Sequence, residues 1–347
     1  MPTPSPSPTP TPAPSPTEIL PAGSTLEVHY IDVGQADAAL VLCDGKAMLI
    51  DGGNVADSSR MVAYLKKQGV TRLDAVIATH CHEDHLGGLS GALNACGAGK
   101  VYCPETEYDS KAFRDFAKYV AAQGLSITVP TPDESFELGS ATVTILGPRQ
   151  AQQETNNTSI VLRIDFGATS FLFTGDAQRE AEADLLNAGC NLAATVLKVG
   201  HHGSNTSTTY PFLREVMPQF AAISVGKDNS YGHPDEDTLS RLRDAVATVY
   251  RTDLQGDIIA TSDGMTVTMT TAKTAQAPTN PTETDGQLST IPPSTEGYIG
   301  NVNSHKFHLP TCGSLPAEKN RVPLESYELA IEKGFTPCKN CLGSKYR

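Results

Sequence analysis

Thr79-His80-Cys81-His82-Glu83-Asp84-His85-Leu86-Gly87-Gly88 decides how this chain is read. Three imidazoles and the Asp84 carboxylate, in the pattern HxHxDH, fall within six residues. They follow directly on Leu73–Ala78, a short apolar run that reads as a buried strand. So many polar groups are costly at the edge of a core unless something pairs them. Neutral imidazole and carboxylate are the ligands that borderline cations such as zinc prefer. A loop at a strand end can aim His80 and His82 at one ion and Asp84 and His85 at a second.

Outward from that loop, strand and helix signals alternate. Upstream, Leu26–Val33 and Ala38–Leu42 read as strands, and Asp44-Gly45 turns the chain into Ala47–Ile50. A helix over Ser58–Lys67 opens at Asp57 or Ser58 and stops at Gly69. Downstream, helices are predicted near 87–95, 110–123, 178–188, 209–216 and 235–245. Strands are predicted at Thr142–Leu146, Ser159–Asp165, Ser170–Phe173, Thr195–Val199, Ala221–Val225, Thr248–Arg251, Asp257–Thr261 and Met265–Thr270. Hairpins at both ends with helices between strands predict two mixed sheets packed face to face with outer helices, an α/β αββα sandwich.

Four parts follow from composition. Residues 1–24 form a Pro-rich stalk, 25–272 the main domain, 273–296 a Thr/Pro/acid linker and 297–347 a small end module. With 26 Lys and Arg against 39 Asp and Glu, the net charge is −13, so the overall field does not draw nucleic acid. Such a partner must be held by a local patch or by metal ions. No apolar run approaches the roughly 18 residues that span a bilayer. The stalk is expected to follow a signal or lipid anchor, which places the protein outside the cell or on its surface; a cytoplasmic tail is the other reading. The eight cysteines are too sparse for a disulfide framework, though a Cys96–Cys103 bridge is one arrangement the spacing allows.

The HxHxDH segment resembles the signature of the metallo-β-lactamase superfamily, and other landmarks appear in order. Leu49-Ile50-Asp51-Gly52-Gly53 is similar to the early motif whose Asp braces the metal loop. Phe173-Thr174-Gly175-Asp176 is similar to the strand end whose Asp bridges two metals. Val199-Gly200-His201-His202-Gly203-Ser204 supplies the late histidine, expected to be His201. One branch fits more closely. Ile31-Asp32-Val33-Gly34-Gln35-Ala36-Asp37, Asn157-Thr158-Ser159, Leu197-Lys198-Val199 before the paired histidines, and Tyr231-Gly232-His233-Pro234 resemble the soluble hydrolase domain of the ComEC family of DNA-uptake proteins. The resemblance covers about residues 26–270 and lacks the channel-forming membrane part. It implies metal ligands His80, His82, Asp84, His85, Asp176 and His201, with Asp51, Lys198, Ser204 and Asn157 supporting the site or the substrate. Much of the superfamily has a histidine between the HxHxDH loop and the bridging Asp. This chain has none between His85 and His201, and Asn156, Asn157 or Ser159 occupies that region. Zinc and manganese both fit such a donor set.

Two cations roughly 3.5–4 Å apart can share a hydroxide and clamp an in-line displacement. The expected function is a dinuclear-metal phosphodiesterase or nuclease acting on DNA, with Asp84, His202 and His233 in catalytic roles. His233, His202, Ser204 or Lys198 can stabilise charge or protonate the leaving oxygen. Hydrolysis of a lactone, β-lactam or other carbonyl ester stays open as a second chemistry. A non-catalytic metal- or ligand-binding surface protein is the third reading.

Phe307-His308-Leu309-Pro310-Thr311-Cys312 and Pro337-Cys338-Lys339-Asn340-Cys341 frame the end module. A C-x2-C knuckle with a second ligand pair some 15–30 residues away signals structural zinc. The module resembles the zinc-binding domain of the DNA-repair protein Ada, with Asn320-Arg321 and Ala330 to Gly334 in matching places. His308 stands where that family has its methyl-accepting cysteine, so the resemblance implies zinc without methyl transfer. His308, Cys312, Cys338 and Cys341 are the expected ligands. Seven Lys and Arg against four Asp and Glu make the module basic, and a basic module tethered to an acidic enzyme can hold nucleic acid near the site.

Overall fold

The structure is a computed structural model that describes residues 20–279, 297–310, 312, 315–324, 330 and 333–338. The chain divides into two compact units, one ending at Thr279 and one beginning at Asn280.

In the first unit, β1 (Leu26–Tyr30), β2 (Ala39–Cys43) and β3 (Lys46–Ile50) form an antiparallel meander. Helix α1 (Ser58–Lys67) carries the chain to β4 (Arg72–Ile77), parallel to β3. The short α2 (Glu83–Leu86) and α3 (Leu89–Ala95) lead to β5 (Gly97–Tyr102), and α4 (Lys111–Ala122) leads to β6 (Ile127–Thr128). The second sheet begins with antiparallel β7 (Ser135–Leu138), β8 (Ala141–Gly147), β9 (Val161–Phe166) and β10 (Thr169–Phe173). It continues in parallel through β11 (Val196–Lys198), β12 (Phe220–Ile223) and β13 (Thr248–Arg251), connected by α5 (Arg179–Asn187), α6 (Tyr210–Val216) and α7 (Glu236–Asp244). After α8 (Thr252–Gln255) the chain returns to the first sheet as β14 (Ile258–Ser262) and β15 (Val267–Thr271), with β14 antiparallel to β1.

The sheet orders are β15-β14-β1-β2-β3-β4-β5-β6 and β13-β12-β11-β10-β9-β8-β7. Strand alternation sorts the core into three apolar layers. Val28, Tyr30, Val41, Ile145, Ile164, Phe171 and Phe173 pack between the sheets. Met61, Leu65, Leu93 and Phe116 pack beneath α1, α3 and α4 on one outer face. Leu172, pointing opposite to Phe171 and Phe173, joins Leu185, Leu197, Phe212 and Leu242 beneath α5, α6 and α7 on the other. This is the αββα sandwich the sequence predicts.

In the first unit three strands, β5, β6 and β7, stand where the sequence pattern predicts none. The Cys96–Cys103 bridge does not form. β5 extends between the two residues, and six extended residues span about 20 Å, against roughly 7 Å at most between bridged Cα atoms. Cys96 Sγ lies 3.4 Å from the Val70 carbonyl, and Cys103 Sγ lies 3.8 Å from Cys81 Sγ. Among the described residues no helix is long and apolar enough to cross a membrane.

The second unit is a four-stranded sheet, with β16 (Tyr298–Asn301), β17 (Lys306–His308), β18 (Arg321–Leu324) and β19 (Thr336–Pro337) in the order β18-β16-β17-β19. Phe307, Leu324, Ala330 and Phe335 make its small core. Most of the expected stalk and linker, residues 1–19 and 280–296, lies outside the described residues.

Candidate metal centre

The polar residues of the first unit gather where parallel strands end, the usual place for a site in an α/β sheet. Asp51 follows β3, residues 79–85 follow β4 and run into α2, Asp176 follows β10, His201 and His202 follow β11, and Ser224 follows β12. Asp51, His201 and His202 hold positive φ of 57°, 51° and 53°. Non-glycine residues adopt that region at a cost, and it concentrates at functional sites. The glycines of the two early motifs have a packing reason. Gly52 N donates to His85 O at 2.7 Å and Gly88 N to Gly53 O at 3.0 Å. A Cβ on Gly88 would overlap the Gly52 carbonyl oxygen. Only glycine lets the loop bearing Asp51 lie directly on the helix end bearing His85.

Asp51 is buried and spends its oxygens on the metal loop. Oδ1 accepts from Thr79 N (2.8 Å), and Oδ2 accepts from Thr79 Oγ1 (2.7 Å) and from His85 Nδ1 (2.8 Å). That fixes the His85 tautomer and leaves Nε2 facing inward, 3.3 Å from Asp176 Oδ1. His202 is held the same way: Nδ1 lies 3.1 Å from the Ser224 carbonyl, and Nε2 lies 3.4 Å from Asp84 Oδ2 and 3.7 Å from Asp176 Oδ2. His80 Nε2 lies 3.9 Å from Asp176 Oδ2 and 3.1 Å from Nδ1 of the half-buried His82. His85 Nε2, His202 Nε2, Asp176 Oδ1 and Asp37 Oδ1 are buried and have no hydrogen-bond partner. Unpartnered buried polar atoms are rare and call for an explanation. A tetrahedral cation with bonds of about 2.0–2.1 Å sets its ligand atoms about 3.3–3.4 Å apart, close to the separations found here. The donors therefore fit divalent metal, as overlapping groups: His80, His85 and Asp176, and Asp84, His85 and His202, with Asp37 also grouped with Asp176 and His202 and with Asp51 and His85.

The late histidine differs from expectation. His202, not His201, joins a ligand group. His201 stands beside it with Nδ1 3.0 Å from Thr206 Oγ1, and Nε2 3.6 Å from Asp176 Oδ2 and 3.5 Å from Asn156 Nδ2. Of the residues in the region of the missing histidine, Asn156 thus lies beside His201, and Ser159 Oγ lies 3.5 Å from His80 Nδ1 while accepting from Asp176 N at 3.0 Å. Asn157 turns away: its Oδ1 accepts from Gln178 N at 2.9 Å and its Nδ2 lies 3.4 Å from Glu180 Oε2. Lys198 is buried and its ammonium is committed to Asp37 Oδ2 (2.8 Å) and Val199 O (3.0 Å), so of the two expected roles its contacts are those of a support to the site. Ser204 Oγ lies 3.0 Å from Thr206 Oγ1, inside the turn. His233 reaches the rim: its ring lies edge-on to His201 at 5.7 Å and is stacked on the exposed Tyr231. Asp37 is a site residue the sequence reading did not single out, although it stands in a quoted motif.

Charge explains how these groups behave. Asp37, Asp51, Asp84 and Asp176 face a single committed lysine. Burial opposes charge on His202, but Asp176 and Asp37 outweigh it and raise it to about 10. Burial likewise opposes protonation of His85, and Asp176 and Asp51 hold it well above its ordinary value. Burial pushes Asp84 up, yet the nearby His202 and the His85 charge bring it down to about 2. Burial and the nearby His201 and His202 lower His233. The cluster is short of positive charge, which is the condition a divalent cation relieves.

In the second unit, ligand atoms of His308, Cys312 and Cys338 lie within 4.8 Å of one another, all three buried, with His308 Nδ1 3.4 Å from Cys312 Sγ. Zinc with bonds of about 2.3 Å to sulfur and 2.0 Å to nitrogen spans such a pair. Cys341 lies outside the described residues.

Residues 31–227 match the family described as the metallo-beta-lactamase superfamily. ComE operon protein 3 of Bacillus subtilis is 30% identical over 251 residues, 67% of this chain and 32% of that protein. Competence protein ComA of Neisseria gonorrhoeae is 33% identical over 228 residues, 65% of this chain and 30% of that protein. The chain thus matches about a third of the length of these relatives. Among solved structures, the metallo-beta-lactamase fold protein YhfI of Bacillus subtilis is 16% identical with a TM-score of 0.44, covering 65% of this chain and 95% of that one.

Proposed function

Because the chain belongs to the metallo-beta-lactamase superfamily, a fold that implies divalent metal and hydrolysis, we propose that its first unit is a dinuclear-metal phosphodiesterase acting on DNA. The observation that carries the reading is Asp176. Its Oδ1 lies 3.3 Å from His85 Nε2, and its Oδ2 lies within 3.9 Å of ring nitrogens of His80, His201 and His202, so one buried carboxylate is within reach of histidines from both donor groups. The relative named competence protein ComA favours DNA as the substrate.

Bound divalent cations, zinc or manganese, supply positive charge for a phosphoryl group and acidify water. The residues do the rest. Asp51 and the Ser224 carbonyl hold His85 and His202 by Nδ1 and keep each Nε2 aimed inward. Asp84, partly open to solvent, completes the second group on the substrate side. His233, kept neutral at ordinary pH by burial and by its histidine neighbours, accepts a proton from the attacking water. The water oxygen bonds to phosphorus, the P–O bond to the leaving nucleoside breaks, and His233 returns the proton to that oxygen. The second unit is proposed to hold one structural zinc through His308, Cys312, Cys338 and Cys341, and to grip nucleic acid with its basic surface.

The test is incubation of metal-reconstituted protein with single- and double-stranded DNA, RNA, a chromogenic phosphodiester and a lactone. Metal-dependent DNA cleavage that disappears in Asp176→Ala, with the fold retained by circular dichroism, is the expected result. Cleavage that survives in this variant would point to a contaminant. Lactone hydrolysis without DNA cleavage would replace the phosphodiester reading.

A further inference from the structure

A polar cavity of about 360 Å³ opens beside the metal centre, lined by Arg179, Asn205, Tyr210, Asp237, Ser240 and Arg241. It is joined to the centre through short links. Arg179 is three residues beyond Asp176, so their Cα atoms are at most about 11 Å apart. Its backbone N donates to Thr206 O at 3.0 Å, and Thr206 Oγ1 lies 3.0 Å from His201 Nδ1.

The walls are unusual for this protein. Outside residues 297–347 the chain carries 35 acids against 19 Lys and Arg. Elsewhere Arg149, Arg163 and Arg251 each hold a carboxylate at 2.6, 2.6 and 2.7 Å. Neither arginine of the cavity makes an ion pair with any described residue. Arg241 is 9% exposed, and its guanidinium bonds neutral oxygens only: Asp237 O, Asn205 O and Thr238 Oγ1. Arg179 is exposed at the rim. The phenol ring of Tyr210 forms one wall, with its hydroxyl donating to Asp244 at 2.6 Å, and Asp237 is the one acid on the lining. Two guanidiniums that make no salt bridge with a described residue, against one lining acid and flanked by a carboxamide and a hydroxyl, match a phosphate group in charge and in donor type.

We propose that this cavity is a second phosphate-binding site, taking a backbone phosphate of the nucleic-acid strand whose neighbouring phosphodiester lies in the metal centre, with Arg179 and Arg241 as its cations. The inference rests on the nuclease reading for the identity of the strand. Along one strand, phosphates follow at about 3.4 Å per nucleotide of helix axis, so the cavity takes a phosphate within a few nucleotides of the cleaved one. It resolves how an acidic enzyme retains a polyanion: attraction comes from a local pair of arginines beside the metals, not from the net charge.

The experiment measures binding of a fluorescein-labelled, phosphorothioate-linked octathymidylate to the metal-reconstituted full chain by anisotropy across salt concentrations. Arg179→Ala and Ser240→Glu should each weaken binding roughly ten-fold, as loss of a charge-assisted contact does. Arg179→Lys should recover part of it, and the salt slope of Arg179→Ala should flatten by about one. Hydrolysis of the p-nitrophenyl ester of thymidine 5′-phosphate, which has no second phosphate, should keep its kcat and KM in both weakened variants. Unchanged octathymidylate affinity in both variants overturns the proposal, as does an equal loss on the small ester. If the wild type binds the octamer through Arg179 yet cleaves neither substrate, the cavity stands and the nuclease reading falls.

Discussion

At the residue scale, the metal loop was readable because its chemistry is written contiguously: few sequences place three imidazoles and a carboxylate so close together without a cation to bind. The choice between His201 and His202 was not readable. Both lie at positive φ, where neither strand nor helix periodicity tells which ring turns inward. The deciding contact, His202 Nδ1 to the Ser224 carbonyl, comes from a distant strand end. Metal analysis of single variants checks the assignment: His202→Ala should lose about one equivalent of metal while His201→Ala retains both. The reverse result would restore the sequence expectation. A second outcome follows from the cluster's charge. His202 sits at about 10 in the folded protein against about 6.5 unfolded. A proton held more tightly by the folded state stabilises it fully below about pH 6.5, and that contribution drains away as pH rises toward 10. Denaturant melts of the chelated protein should therefore show stability falling between pH 7 and 10, and His202→Gln should flatten the decline. A wild-type profile that is level or rising over that window would contradict it.

At the element scale, the helices and inner strands of the sandwich were legible, since long apolar periods and turn residues bound them. The strands that escaped notice did so for physical reasons. β5 opens Gly97-Ala98-Gly99, and glycine in a strand reads as a break. Here Gly99 is needed, because a Cβ would overlap the backbone oxygen of Asp74 on β4. β6 has two residues, too few for any pattern, and β7 is a four-residue edge strand. Gly99→Ala should push β5 off β4, the strand that delivers the metal loop. It should cost about 1–3 kcal/mol of stability, as overpacking does, and lower metal affinity with it. Thermal melts and metal titration report both, and an unchanged melting temperature would show that the two strands can part cheaply.

At the scale of the whole molecule, the chain divides into two compact units at Thr279, inside the expected linker, while most of the stalk and linker lies outside the described residues. Among the described residues the second unit buries few large side chains, so its stability should come from its metal; thiolate zinc sites contribute folding free energy directly. Chelation, or Cys338→Ser, should abolish the proteolytic resistance of the second unit while the first keeps its helical and strand signal. A second unit equally resistant with and without zinc would refute this. Truncation after Thr279 should leave hydrolysis of a small phosphodiester intact and weaken cleavage of long DNA, most at low salt.

The candidate ligands of the first unit come from both layers of the sandwich: His80, Asp84 and His85 from the sheet that holds β4, Asp176 and His202 from the sheet that holds β10 and β11. An ion seated among them rivets two sheets whose shared core is largely apolar. Anything that binds the native state alone raises its stability with the logarithm of its free concentration. Metal supply would then govern the lifespan of each molecule as well as its turnover. Where divalent ions are scarce, the unriveted enzyme would open and be degraded sooner, so starvation for metal would clear the protein and not merely silence it.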